Sequence, residues 1–122
     1  MKKTNHKYQG KEDDFQIGCV KYLQNIFPDL LFIHVPNGGK RSKAEGGRFK
    51  AMGVKPGVND ILIFDAKAPY NGLAIELKVD GGTVSESQKE FHKQIKSKGW
   101  KVEIVWNYDD FQTAIVNYLT QQ

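Results

Sequence analysis

Residues 73–79 read Leu73-Ala74-Ile75-Glu76-Leu77-Lys78-Val79. Side chains alternate faces along a strand. Leu73, Ile75, Leu77 and Val79 therefore point one way, and Ala74, Glu76 and Lys78 the other. Glu76 and Lys78 would stand about 6–7 Å apart on the same side of that strand. Taken alone, the segment equally fits a half-exposed strand with a polar outer face. A second apolar run, Ile61 to Ala66, precedes it across Lys67 to Gly72, where Pro69 and Asn71-Gly72 supply turn chemistry. The two runs read as a β-hairpin.

Asp60 opens the earlier strand of that hairpin, just after Gly57-Val58-Asn59. If the hairpin folds about its turn, Asp60 falls near Lys78 and diagonal to Glu76, about 7–8 Å away. An isolated Asp there reads as well as a turn residue bonding its own backbone. Asp60, Glu76 and Lys78 together carry more meaning. Cleaving a phosphodiester requires a hydroxide, a Lewis acid and relief of negative charge on the phosphoryl group. A divalent cation on two carboxylates supplies the first two. A nearby lysine orients water and offsets developing charge. Oxygen ligands select Mg2+ or Mn2+ over zinc.

The surrounding chain supplies the scaffold. Lys11 to Phe27 reads as a helix, with Phe15, Cys19, Leu23 and Ile26 at helical spacing and Pro28 as its stop. Glu12, Asp13 and Asp14 would then lie in its first turn, where the helix dipole favours anions. Glu12 shares a face with Gln16. Leu30 to Val35 reads as a strand and Arg48 to Met52 as a short helix. Ser85 and Gln88 form a capping-box pattern opening another helix, which Gly99 closes. Lys101 to Trp106 is a strand. Asn107 or Asp109 caps a last helix with Phe111, Ala114, Ile115, Tyr118 and Leu119 on one face. Trp100 and Trp106 bracket the last strand as packing residues, whereas Tyr8 and Tyr70 read as exposed. This alternation of helices and strands predicts an α/β domain, a mixed sheet of about four strands flanked by helices.

The bulk composition is compatible with that picture. The chain has 122 residues, 39% hydrophobic and 26% charged, as a soluble single domain would have. Residues 11–122 are expected to form that domain, and residues 1–10 a disordered basic tail carrying Lys2, Lys3 and Lys7. No apolar run is long enough for a membrane span. Met1 to Gln9 lacks the apolar core of a signal peptide. The compact size suits a bacterial or phage-infected cell, and one cysteine, Cys19, excludes an intrachain disulfide and suits a reducing cytoplasm. With three scattered histidines it also argues against a Cys/His zinc site. The net charge is +4, but the stretch from Lys40 to Lys55 concentrates six basic side chains against Glu45 alone. Such a segment can face a polyanion or can be a solvated loop.

In order along the chain stand Glu12-x-x-x-Gln16, Val35-Pro36-Asn37-Gly38-Gly39, Gly53, Gly57-Val58-Asn59-Asp60, Gly72 through Lys78, and Ser85-x-x-Gln88. Asp60, fifteen residues, then Glu76-Leu77-Lys78 resembles the core of the PD-(D/E)xK nuclease superfamily. The whole series resembles its virus-type replication-repair nuclease (VRR-NUC) domain, from about Glu12 to Leu119. Asn59 stands where that family commonly has proline. The resemblance implies a restriction-endonuclease-like fold. It also implies that Asp60 and Glu76 bind Mg2+ or Mn2+, joined by the Leu77 carbonyl and by Glu12. Lys78 would act on the attacking water, and Gln88 would support the site, although its capping role explains it equally well. His34, Asn37, Lys40, Arg41, Lys43, Arg48, Lys50 and Lys55 would lie near DNA.

The expected activity is a structure-selective endonuclease on branched DNA, with Holliday-junction resolution as its form. A homodimer is implied by the resemblance and suits cutting two strands of a symmetric junction. No small-molecule cofactor and no membrane partner are expected. Two other readings remain. One is a nuclease for flap, nicked or duplex DNA in repair or restriction. The other is a non-catalytic DNA-binding module working through its basic segments.

Overall fold

The computed structural model of the chain describes residues 3–36 and 43–121, with side chains from residue 11 onward except that of Lys43. Among the described residues, four helices and four strands follow in the order α1 (Lys3–Ile26), β1 (Phe32–His34), α2 (Lys43–Ala51), β2 (Ile61–Ile63), β3 (Gly72–Leu77), α3 (Glu86–Ser97), β4 (Trp100–Val105) and α4 (Tyr108–Thr120). The strands lie in the order β1-β2-β3-β4. The first three are antiparallel neighbours, and β3 runs parallel to β4. A parallel pair needs a long crossover, and α3 provides it. The α/β mixed sheet expected from the sequence is present.

The core sits on one face of β3. Leu73, Ile75 and Leu77 pack with Cys19 and Leu23 of α1, Ile61 and Ile63 of β2, and Phe111, Ile115 and Tyr118 of α4. These α1 and α4 residues recur at helical spacing, so each helix turns one stripe to the sheet. By strand alternation, Ala74 and Glu76 point to the opposite face. That face is covered too, because every residue of β3 is buried. A half-exposed β3 with a polar outer face is therefore excluded, and Glu76 is only 3% exposed.

The helix boundaries follow local chemistry. The Ser85 side chain accepts from the Gln88 backbone N–H, and the Gln88 side chain accepts from that of Ser85. This is the reciprocal capping box expected from the sequence. Asn107, rather than Asp109, caps α4 through Asp110 N–H. The helix expected from Lys11 begins at Lys3 instead. Most of the segment expected as a disordered tail is thus helical. Residues 3–9 contain no proline, and extending an existing helix fixes one residue per added bond. Glu12, Asp13 and Asp14 consequently lie outside the first turn, which holds no acidic residue. The dipole account of these three does not apply.

Two glycines are required by close approach. Gly57 has φ +83° and its backbone lies directly on the Ser87 carbonyl of α3, so a Cβ there would collide with main chain. Gly72 lies against the ring of Trp100. Trp100 packs as expected, with its ring edge-on to Phe64. Trp106 does not; it is 45% exposed. Tyr70 is half-buried against the core and close to Tyr118, not exposed. The turn closes through hydrogen bonds between the backbones of Lys67 and Tyr70, and the Lys101 ammonium lies over the Tyr70 ring.

Candidate active site

Register brings the two central carboxylates together. Ile61 pairs with Ile75, and Ile63 with Leu73. One further step places Asp60 opposite Glu76 and diagonal to Lys78, whereas the turn led to the expectation that it falls near Lys78 and diagonal to Glu76. The buried isoleucines and leucine fix this register, because any slip by one residue would turn the apolar set outward. Asp60 is then anchored. Its Oδ2 accepts from the Leu77 backbone N–H at 2.7 Å, and its own carbonyl meets His34 Nδ1 at 2.8 Å. The Val35 N–H donates to the same carbonyl at 2.9 Å.

Gln88 organises the other half. Its Nε2 donates to Glu76 Oε2 at 2.7 Å. Its Oε1 accepts from Lys78 Nζ at 2.9 Å and from Ser85 N–H at 2.8 Å. One side chain therefore caps α3, grips a carboxylate and aims an ammonium. The Lys78 ammonium lies 3.8 Å from Glu76 Oε2, with both side chains largely buried. On the far side of Glu76, His92 Nε2 lies 3.6 Å from Oε1.

The electrostatics follow from burial. Desolvation first, and the neighbouring Asp60 carboxylate second, push the Glu76 carboxyl up to about 8, more than Lys78 draws it down. His92 is shifted below its ordinary value by burial and by Lys96 and Lys78. Glu76 Oε1 has no hydrogen-bond partner among the described residues. Two adjoining carboxylates, Asp60 partly buried and Glu76 buried with an unsatisfied oxygen, suit a shared hard cation. Among the described residues no group of three or more His, Cys, Asp or Glu could hold a metal. A cation here would complete its shell with backbone oxygen and water, as Mg2+ commonly does.

The remaining expected residues divide. Glu12 is exposed. It continues the α1 stripe of Gln16, Cys19 and Leu23, and its neighbour Lys11 reaches Asp80 at 3.9 Å, just past β3. Gln16 Nε2 is buried with no hydrogen-bond partner among the described residues. Lys50 and Lys55 line a cleft of about 440 Å3 that also takes in Phe49, Pro56, Gly57, Ser87 and Gln88. Arg48 lies on exposed α2, its guanidinium 5.9 Å from the Phe49 ring centre. His34 is exposed, and its Nδ1 meets the Asp60 carbonyl. Asn37, Lys40 and Arg41 lie outside the described residues, as does the side chain of Lys43.

Two residues of this region carry more than the sequence suggested. Asn59 is fully buried and places its Nδ2 3.2 Å from His92 Nε2. The available signal was spacing: His92 follows Gln88 by four residues, on the same helix face.

No family model and no curated protein matches the chain. Among solved structures it is similar to a "VRR_NUC domain protein", at 25% identity and a TM-score of 0.67, over 86% of this chain and 88% of that one. The ordered motif series, the mixed sheet and this structural likeness agree: the chain has the VRR-NUC domain fold.

Proposed function

We propose that the chain is a metal-dependent DNA endonuclease acting on branched DNA, with a four-way junction as its substrate. The observation that carries the reading is the pairing of Asp60 with Glu76 across β2 and β3, with Lys78 tied to the glutamine that grips Glu76. Asp60 and Glu76 would hold Mg2+ or Mn2+, with the Leu77 carbonyl and Glu12 as further donors, and the ion would supply Lewis acidity toward the phosphoryl group.

The chain's own groups do the rest. An ammonium has three donors. Lys78 gives one to Gln88, leaving two for the attacking water and a non-bridging phosphate oxygen. Burial of Lys78 and Glu76 strengthens those interactions relative to water. Lys50, Lys55 and Arg48 would meet the backbone phosphates beside the cleft and set affinity rather than chemistry. No helix among the described residues is long and apolar enough to cross a membrane.

The test is cleavage of an end-labelled mobile four-way junction and a matched duplex, in Mg2+, Mn2+ or EDTA, with Lys78→Ala alongside. The expected result is paired nicks in the junction alone, abolished by EDTA and by the substitution. A dimer in solution would accompany it. Cleavage of both substrates would keep the nuclease and move its role to flap, nicked or duplex DNA. Tight binding with no cleavage would overturn the enzyme in favour of a binding module.

A further inference from the structure

Behind the carboxylate pair lies a buried polar trio. Asn59 is fully buried, Glu76 is 3% exposed and His92 7%. His92 Nε2 is 3.2 Å from Asn59 Nδ2 and 3.6 Å from Glu76 Oε1. Asn59 Oδ1 and Glu76 Oε1 both lack partners among the described residues. Burying polar atoms in this state is unfavourable, so the arrangement calls for a reason beyond packing.

Geometry supplies one. Gln88 and His92 are four residues apart on α3 and face the same carboxylate. Gln88 holds Oε2, and His92 flanks Oε1. The terminal torsion of a glutamate is broad, so a carboxylate held at one oxygen still swings. His92 Nε2, 3.6 Å from the other oxygen, is not hydrogen-bonded to it but stands where it limits that swing. The imidazole is itself steadied by Asn59, whose next residue in the chain is Asp60. The pair therefore links the segment that carries one carboxylate to the helix that grips the other.

We propose that Asn59 and His92 are positioning residues for Glu76, keeping its carboxylate turned toward Asp60 so that both meet one cation. The proposal rests on the metal-dependent reading above. Neither residue contacts DNA or the reacting atoms in it.

The experiment is Mn2+ binding measured by titration calorimetry on the full chain without DNA, with melting temperatures recorded in parallel. The proteins are wild type, His92→Leu, His92→Gln and Asn59→Ala. His92→Leu is expected to bind Mn2+ about 10- to 100-fold more weakly, as loss of an outer-shell partner does. His92→Gln keeps a polar group beside Oε1 and is expected to stay within about threefold of wild type, with Asn59→Ala weakened in the same direction as leucine. Lower melting temperatures with unchanged Mn2+ affinity in His92→Leu and Asn59→Ala would overturn the proposal. Equal weakening by leucine and glutamine would also overturn it. If His92→Leu does not fold, wild-type affinity in Asn59→Ala is sufficient to reject it. A wild type that binds no Mn2+ would instead overturn the metal reading beneath it, a distinguishable failure.

Discussion

The β3–α3 junction and the cleft beside α2 both present charged side chains, but they hold them differently. At the junction, Asp60, Lys78 and Gln88 are fixed by hydrogen bonds of 2.7–2.9 Å, and Glu76 is almost completely buried. Around the cleft, Lys50 and Lys55 are exposed on a short helix and the loop after it. The first arrangement determines where a charge stands. The second determines only that positive charge is nearby. Chemistry that depends on tenths of an ångström belongs to the first, and long-range attraction of a polyanion to the second.

Substitution of Glu76 should break the comparison most sharply. On the proposed metal-dependent reading, Glu76→Gln is expected to remove detectable cleavage, a loss of at least about 1000-fold, because it would take away a cation ligand. It should also change stability in the metal-free protein. The folded-state carboxyl is raised from 4.5 to about 8, so the folded protein binds the extra proton between those values. Glu76 therefore contributes fully below pH 4.5, and its contribution is lost as pH rises toward 8. The slope has an upper limit of about 1.4 kcal/mol per pH unit. Melts in EDTA at pH 5.5 and 8 should show wild type losing stability with pH and Glu76→Gln losing much less. Equal slopes would mean that Glu76 is not the group responsible.

Gln88 should give an intermediate effect. Gln88→Ala releases Lys78 and Glu76 together, and about a 10- to 100-fold loss of turnover is expected. It also removes half of the capping box, about 1 kcal/mol of helix stability. Single-turnover cleavage separates the two, since a destabilised but folded enzyme would keep its rate at low temperature.

The smallest effect on chemistry belongs to the cleft. Lys50→Ala with Lys55→Ala should weaken DNA binding and lower the slope of log affinity against log salt by up to about 0.9 per lysine on duplex. The cleavage rate at saturating DNA should change little. A large loss of that rate with unchanged affinity would move these lysines from attraction to chemistry.

The sequence was most informative where one residue type at one position has a single physical use. Ser85 with Gln88, Gly99 after α3, and the alternating run from Leu73 gave the sheet and its crossover helix. The carboxylate pair was legible as a pair, but not its register. That depends on the path of residues 64–71, which a turn motif does not specify. The extension of α1 to Lys3 was hidden by polar composition, which suits an exposed helix as well as a tail. Asn59 gave no sign, and His92 only its spacing from Gln88, because their meaning is mutual: an amide before an aspartate and an imidazole on a distant helix acquire a role only once α3 has packed on the sheet.

The crossover through α3 has a consequence for how the molecule comes together. Asp60, Glu76, Lys78, Gln88 and His92 all fall within 33 consecutive residues, so few chain segments must be closed to assemble them. Loop-closure entropy grows with separation, and local contacts form fastest. Glu12 lies 48 positions before Asp60, on a helix that docks through separate contacts. The folding chain is therefore expected to gather its carboxylate pair first and to recruit the upstream glutamate last.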